Sequence, residues 1–185
     1  STNTDLAALA LVFPPLKDGD VFEVLMRFWV PEDAIAERSK KDRVPYTQWE
    51  KEGHIVATPG NVVDIAWIIE DIKRFRSDFD FRELAFDRWG STKIQGDIGN
   101  LDPTGKFLVA FGQGYGSMAP AMKDLERSIL KHQLAHGGNP VLTWCADNLV
   151  VTQDAAGNMK PDKDKSTERI DGMVALAMAM GASQA

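Results

Sequence analysis

Phe22-Glu23-Val24-Leu25-Met26-Arg27-Phe28-Trp29-Val30 puts Phe22, Val24, Met26, Phe28 and Val30 at every second position, with Glu23 and Arg27 between them. Successive side chains of a strand point to opposite faces, so this period of two describes a strand with one apolar face. Upstream, Leu6 to Phe13 is a continuous apolar run closed by Pro14-Pro15, because proline cannot donate to a ladder. Lys17-Asp18-Gly19-Asp20 supplies turn chemistry between the two runs. The chain opens as a β-hairpin.

Downstream the period changes from two to 3.6. Ile65, Ile68, Ile69, Ile72 and Phe75 recur at helical spacing, with Asn61 in the N-cap place and Asp64 in the first turn, which gives a helix to about Arg76. Pro31 to Asp42 and Tyr46 to Glu52 read as shorter helices, and His54 to Thr58 as an extended segment. Phe81 to Phe86 and Phe107 to Phe111 are short strands. Helices follow from Pro120 to Leu134, stopped by Gly137-Gly138, and from Pro140 to Asn148. Leu149 to Gln153 and Met159 to Lys163 pair around Ala156-Gly157-Asn158. A last helix runs from about Thr167 to Met180, burying Ile170, Met173, Val174, Ala177 and Met178. This order predicts one α/β domain over residues 1–185, with a single mixed central sheet flanked by helices.

Composition narrows the function. Hydrophobic residues make up 44% and charged residues 26% of the 185, which excludes disordered and collagen-like architectures. One cysteine, Cys145, excludes a disulfide scaffold and a Cys-rich zinc module. The uncharged run Leu6 to Leu16 is too short to span a bilayer, and no signal-peptide pattern opens the chain. Twenty-one basic against 27 acidic residues give a net charge of −6. A strongly basic nucleic-acid-binding domain is therefore excluded, whereas an acidic protein that meets nucleic acid through bound metal ions is not.

Two carboxylates stand where chemistry is done. Asp87 follows the apolar strand Leu84-Ala85-Phe86, at the sheet's carboxyl edge, where open α/β sheets bind ligands; a strand-end turn residue is the bland alternative. Asp171 lies in the first turn of the apolar terminal helix, a place the helix dipole alone also favours. Brought together, the two would make a hard, oxygen-rich site suited to Mg²⁺ or Mn²⁺. Other motifs fail. His132 and His136 have helical i, i+4 spacing, but Gln133 replaces the glutamate of a zinc helix, and a helix C-terminal cap is the simpler reading. In Gly112-Gln113-Gly114-Tyr115-Gly116-Ser117 a serine takes the third glycine of a dinucleotide loop, no Lys-Ser pair follows, and Tyr115 spoils a nucleophile elbow. Cys145 reads as a small buried hydrophobe. Of the five tryptophans most belong in the core, and Trp89, two after Asp87, suits a site wall.

An ordered set of segments resembles the carboxyl-terminal nuclease domain of the large terminase subunit of tailed bacteriophages. They are Val44-Pro45-Tyr46 with Trp49 and Gly53; Thr58-Pro59-Gly60-Asn61-Val62-Val63-Asp64; Phe86-Asp87-Arg88-Trp89; Gly112-Gln113-Gly114-Tyr115 with Ser117-Met118 and Pro120-Ala121; His136-Gly137-Gly138-Asn139-Pro140-Val141; and Lys160-Pro161-Asp162-Lys163 leading to Glu168-Arg169-Ile170-Asp171-Gly172. The resemblance implies a ribonuclease H-like fold and cleavage of double-stranded DNA with two divalent cations, Mg²⁺ or Mn²⁺. It makes Asp87 and Asp171 catalytic metal ligands. The family's first strand carries a further aspartate upstream of a Ser-Thr segment like Ser1-Thr2, so the resemblance also implies that this strand is missing from the chain. Asp5 lies in the loop that follows and is at most a substitute or supporting ligand. Arg88, Lys160, Lys163 and Lys165 are candidates to meet DNA phosphates. Further implications are the absence here of the family's ATPase domain, and partnership with that domain, the small terminase subunit and the portal protein. The setting would be the host cytoplasm and transiently the procapsid portal vertex, or a prophage, with no membrane. Two rival readings are a catalytically silent docking module for the portal or another packaging protein, and an unrelated ribonuclease H-like resolvase or transposase core.

Overall fold

The computed structural model describes residues 6–17, 19–41, 43–87 and 92–183. Strand β1 (Ala7–Phe13) pairs antiparallel with β2 (Phe22–Pro31), in a register that sets Ala7 opposite Trp29 and Phe13 opposite Glu23. Helices α1 (Glu32–Lys41) and α2 (Tyr46–Lys51) follow, then β3 (Val56–Thr58), which runs parallel to the end of β2. Next come α3 (Ile65–Asp78), β4 (Leu84–Asp87), α4 (Thr92–Gly99) and β5 (Leu108–Phe111), with β4 and β5 parallel. The chain continues through α5 (Tyr115–Leu130), β6 (Leu134–Ala135) beside the start of β2, and α6 (Pro140–Asn148). The antiparallel pair β7 (Val151–Gln153) and β8 (Met159–Pro161) leads into α7 (Asp171–Ser183).

The β1-β2 hairpin meets a core on each face. Met26, Phe28 and Val30 are buried against α5, α6 and α7, through Met118, Met122, Val141, Met173 and Val174 among others. On the opposite face α3 is latched by one carboxylate. Asp71 Oδ2 accepts from Arg27 Nε at 2.8 Å and from Trp29 Nε1 at 3.2 Å, while Oδ1 faces Arg74 at 3.0 Å. Ile72 of α3 joins Leu84, Ile98, Leu101 and Phe107 in the second core, with Leu9 of β1 packed against it. The result is helices on both sides of a mixed sheet. Among the described residues that sheet comes in two pieces, β1-β2-β3 with β6 and, separately, β4-β5, where the sequence predicts one. Helix α7 packs against both β1 and β4 and so spans the division.

Several boundaries differ from expectation, each for a tertiary reason. The N-cap of α3 is Asp64, whose Oδ1 accepts from Ala66 N at 2.9 Å, not Asn61; the left-handed Gly60 (φ 87°) keeps the chain turning through the earlier position. Helix α5 starts at Tyr115, five residues before Pro120. Proline inside it is tolerated because the carbonyl deprived of its donor belongs to Gly116, which is exposed to water. That helix ends at Leu130, and His132 (φ 54°) turns the chain so that Gln133 O accepts from Phe22 N and Leu134 pairs with β2. His132 and His136 therefore share no helix face, and Gly137-Gly138 turn the chain ahead of α6, not at the end of α5. Helix α7 begins at Asp171, since Asn148 binds Thr167 Oγ1 and the carbonyl of Arg169 and holds that stretch out of the helix. Helix α7 is buried on most sides, not along one stripe. Trp29 and Trp49 are core, Trp49 and Trp144 cluster with Tyr46, and Trp67 is exposed. Among the described residues no helix is long and apolar enough to cross a membrane.

Asp102 secures the approach to β5. Its Oδ2 accepts from Phe107 N at 2.7 Å and Leu108 N at 3.0 Å, and Oδ1 accepts from Thr104 Oγ1 at 2.8 Å. Burial alone would raise this carboxyl, but those donors outweigh it and hold it well below the usual carboxylate range. A depressed folded pKa means stability that is present above the unfolded value of about 3.9 and lost as pH falls through the folded one. Asp102→Asn should therefore melt several degrees below the unaltered protein at pH 7, and the gap should narrow as pH drops below about 4. Melting curves across that range check it; a constant gap would show that the charge is not what stabilises the loop.

Candidate active site at the carboxyl edge of β4

Asp87 is the last residue of β4, opposite Phe111 in the parallel register. That pairing fixes where the chain leaves β5, and Gln113, two residues on, donates from Nε2 to Asp87 Oδ2 at 2.8 Å. Asp171 is the first residue of α7, a place where the positive pole of the helix favours a carboxylate. Lys163, from the connection after β8, places Nζ 3.5 Å from Asp171 Oδ1. Asp87, Asp171, Gln113 and Lys163 all line one cavity of about 910 Å³, which runs between β1 and β4. Asp64 lines it too, with Oδ1 already engaged as the cap of α3.

The residues singled out from the sequence divide accordingly. Asp87, Asp171 and Lys163 line a common cavity. Lys160 and Lys165 are not among its lining residues: the Lys160 ammonium sits over the Tyr115 ring, 5.4 Å from its centroid, and Lys165 Nζ lies 3.6 Å from Asp162 Oδ2. Asp5, Arg88 and Trp89 lie outside the described residues. Gln113 escaped the sequence reading as a site residue, although its place just past the end of an apolar strand, like that of Asp87, was the available signal.

The carboxylates supply hard oxygen donors of the kind Mg²⁺ and Mn²⁺ select. The ammonium of Lys163 beside Asp171 shows that this wall accepts positive charge. In kind, then, the donors fit a divalent cation. In number they are few, since no three His, Cys, Asp or Glu side chains among the described residues gather closely enough to hold an ion.

Glycine at 172 sets the position of Asp171. A Cβ there would stand 2.9 Å from the Phe28 ring and 3.2 Å from Cys145 Sγ, so only glycine lets α7 start this close to β2 and α6. The same enclosure pushes the Cys145 thiol up to about 12, chiefly through burial. Gly172→Ala should destabilise the protein by about 1–3 kcal/mol through overpacking. It should also weaken any metal-induced rise in melting temperature, because Asp171 moves with the helix start. A variant as stable as the unaltered protein would show that Phe28 and Cys145 yield without cost.

The model of the family described as terminase large subunit, endonuclease domain, matches residues 1–185. The chain is 45% identical over 186 residues to the terminase large subunit of Enterobacteria phage HK97, an alignment covering 99% of this chain and 36% of that protein. The crystal structure of the HK97 large terminase superposes with a TM-score of 0.85 at 44% identity, over 95% of this chain and 36% of the other. The large terminase nuclease from thermophilic phage G20c shares the fold at 14% identity, with a TM-score of 0.53 over 97% of this chain and 83% of that one. Against the HK97 protein the chain spans about a third of the length. With a match along its whole length and a ribonuclease H-like α/β arrangement in common with these nucleases, the chain belongs to the terminase large subunit endonuclease-domain family.

Proposed function

We propose that this domain hydrolyses phosphodiester bonds of concatemeric double-stranded DNA during phage genome packaging, using Mg²⁺ or Mn²⁺ held by Asp87 and Asp171. The observation that carries the reading is that both carboxylates, from elements far apart in the chain, line one cavity at the carboxyl edge of β4. Asp87 and Asp171 would hold a cation pair, whose chemistry there would be to activate a water and to stabilise the leaving oxygen. The chain's own residues do the rest. Asp87 presents its carboxylate from a strand end braced by β5, and Asp171 from the buried start of α7. Lys163 brings a positive charge to the wall where a phosphate would come to rest. With a net charge of −6, the domain suits a division of labour in which a basic neighbour grips most of the DNA. On this reading the neighbours are the ATPase domain, the small terminase subunit and the portal protein, in the host cytoplasm and at the procapsid vertex.

Nicking of supercoiled plasmid with Mn²⁺ tests the proposal, run on the chain with and without upstream residues from a relative. Cleavage that needs metal and is lost in Asp87→Ala supports it. A chain that never cuts but binds portal protein would establish the docking reading instead. The lysines carry a separate expectation. Replacing Lys160 and Lys163 with alanine should weaken DNA binding uniformly across sequences and reduce the salt slope by about 1–2. Binding isotherms at several salt concentrations read it, and an unchanged slope returns both lysines to their intramolecular contacts with Tyr115 and Asp171.

A further inference from the structure

Two of the carboxylates lining the cavity, Asp171 and Asp87, meet different kinds of partner among the described residues. Asp171 faces an ammonium, Lys163 Nζ at 3.5 Å, whereas Asp87 accepts from a neutral amide, Gln113 Nε2 at 2.8 Å. The difference matters for a group that must receive a cation. Lysine or arginine beside Asp87 would fix the carboxylate equally well, but would fill the place with positive charge. An amide donates without net charge, so it can select one orientation of the carboxylate and leave its negative charge undiminished. The geometry is built for this. Parallel pairing of Asp87 with Phe111 holds the two backbones in register, and Gly114, the next residue, is the N-cap of α5, so Gln113 is anchored on both sides. Gln113 is half-buried and lines the same cavity, which limits its rotamers further.

We propose that Gln113 is a positioning residue that holds the Asp87 carboxylate in the orientation in which it receives a divalent cation. This rests on the reading of Asp87 as a metal ligand. Groups that orient a ligand in this way typically change metal affinity by about 10–100-fold when removed. Gln113→Met keeps much of the shape and loses the donor. Gln113→Glu keeps the shape and replaces the donor with a second negative charge beside Asp87.

Two measurements on the 185-residue chain test the proposal. Three-bond couplings of Asp87 should report one χ1 rotamer in the unaltered protein and rotamer averaging in Gln113→Met, with no metal present. Mn²⁺ titration followed by electron paramagnetic resonance should show about tenfold weaker binding in Gln113→Met and tighter binding in Gln113→Glu. Opposite shifts are what a merely structural role would not produce, since loss of packing would weaken both variants alike. The proposal is overturned if Gln113→Met binds Mn²⁺ within twofold of the unaltered protein, or if both variants bind more weakly. Should the unaltered chain show no Mn²⁺ binding that Asp87→Ala removes, it is the metal-ligand reading of Asp87 that falls. The couplings then decide alone whether Gln113 orients Asp87, and a rotamer unmoved in Gln113→Met overturns that too.

Discussion

Joining this chain to the residues that precede the matched region in its phage relative should raise Mn²⁺-dependent plasmid cleavage on the order of a hundredfold or more. Among the described residues β1 is paired on one edge, by β2, and β4 on one edge, by β5. Their other edges line the same cavity of about 910 Å³, with α7 packed against both strands. Unpaired ladder groups are costly to leave facing each other across such a slot, and an extended segment is what satisfies both at once. A strand connected to β1 by a tight turn would run antiparallel to it, and would present a carboxylate beside Asp87 if one stood at its end. A third anionic ligand offsets more of the cost of stripping water from a cation. A hundredfold corresponds to about 2.7 kcal/mol of barrier, a modest demand on one charged ligand. Equal cleavage by both proteins, abolished in each by Asp87→Ala, would show that another carboxylate completes the site, and Asp5 would be the first to replace.

What was legible in the sequence was whatever a local period encodes. The alternation of Phe22 to Val30 and the helical spacing from Ile65 to Phe75 need no partner to be recognised, and both elements form where they were read. The places of Asp87 at a strand end and of Asp171 at a helix start were legible because both are local features. Choices settled by distant contacts were not. Asn61 and Asp64 are both good caps, and the selection between them lies in the turn at Gly60 and in the Thr58 hydroxyl accepting from Asp64 N at 3.4 Å. Pro120 suggested a helix start, yet the junction with β5 begins the helix at Tyr115. Leu134-Ala135 is a strand solely because β2 lies beside it. Gln113 belongs to this second kind: its bond to Asp87 exists through the pairing of β4 with β5.

Asp87→Asn and Asp171→Asn, made in the extended protein, should each remove essentially all cleavage while differing in what they do to the fold. On the proposed reading both delete a charge from a shared cation site, so both should abolish the rise in melting temperature that Mn²⁺ brings by binding the native state alone. Without metal, Asp87→Asn keeps an oxygen that can still accept from Gln113, and removes one of the negative groups lining the cavity, which also include Asp64, Asp80, Glu83 and Asp171, so its melting temperature should stay level or rise. Asp171→Asn takes a negative charge from the first turn of α7 and leaves the half-exposed Lys163 without that counterion. Dipole and surface ion-pair terms of this kind sum to about 1 kcal/mol. At this chain length that is a fall of roughly 2–4 °C. Thermal melts with and without Mn²⁺, beside a plasmid assay, separate the two variants. A metal response surviving in either one would remove that residue from the site, whatever its effect on cleavage.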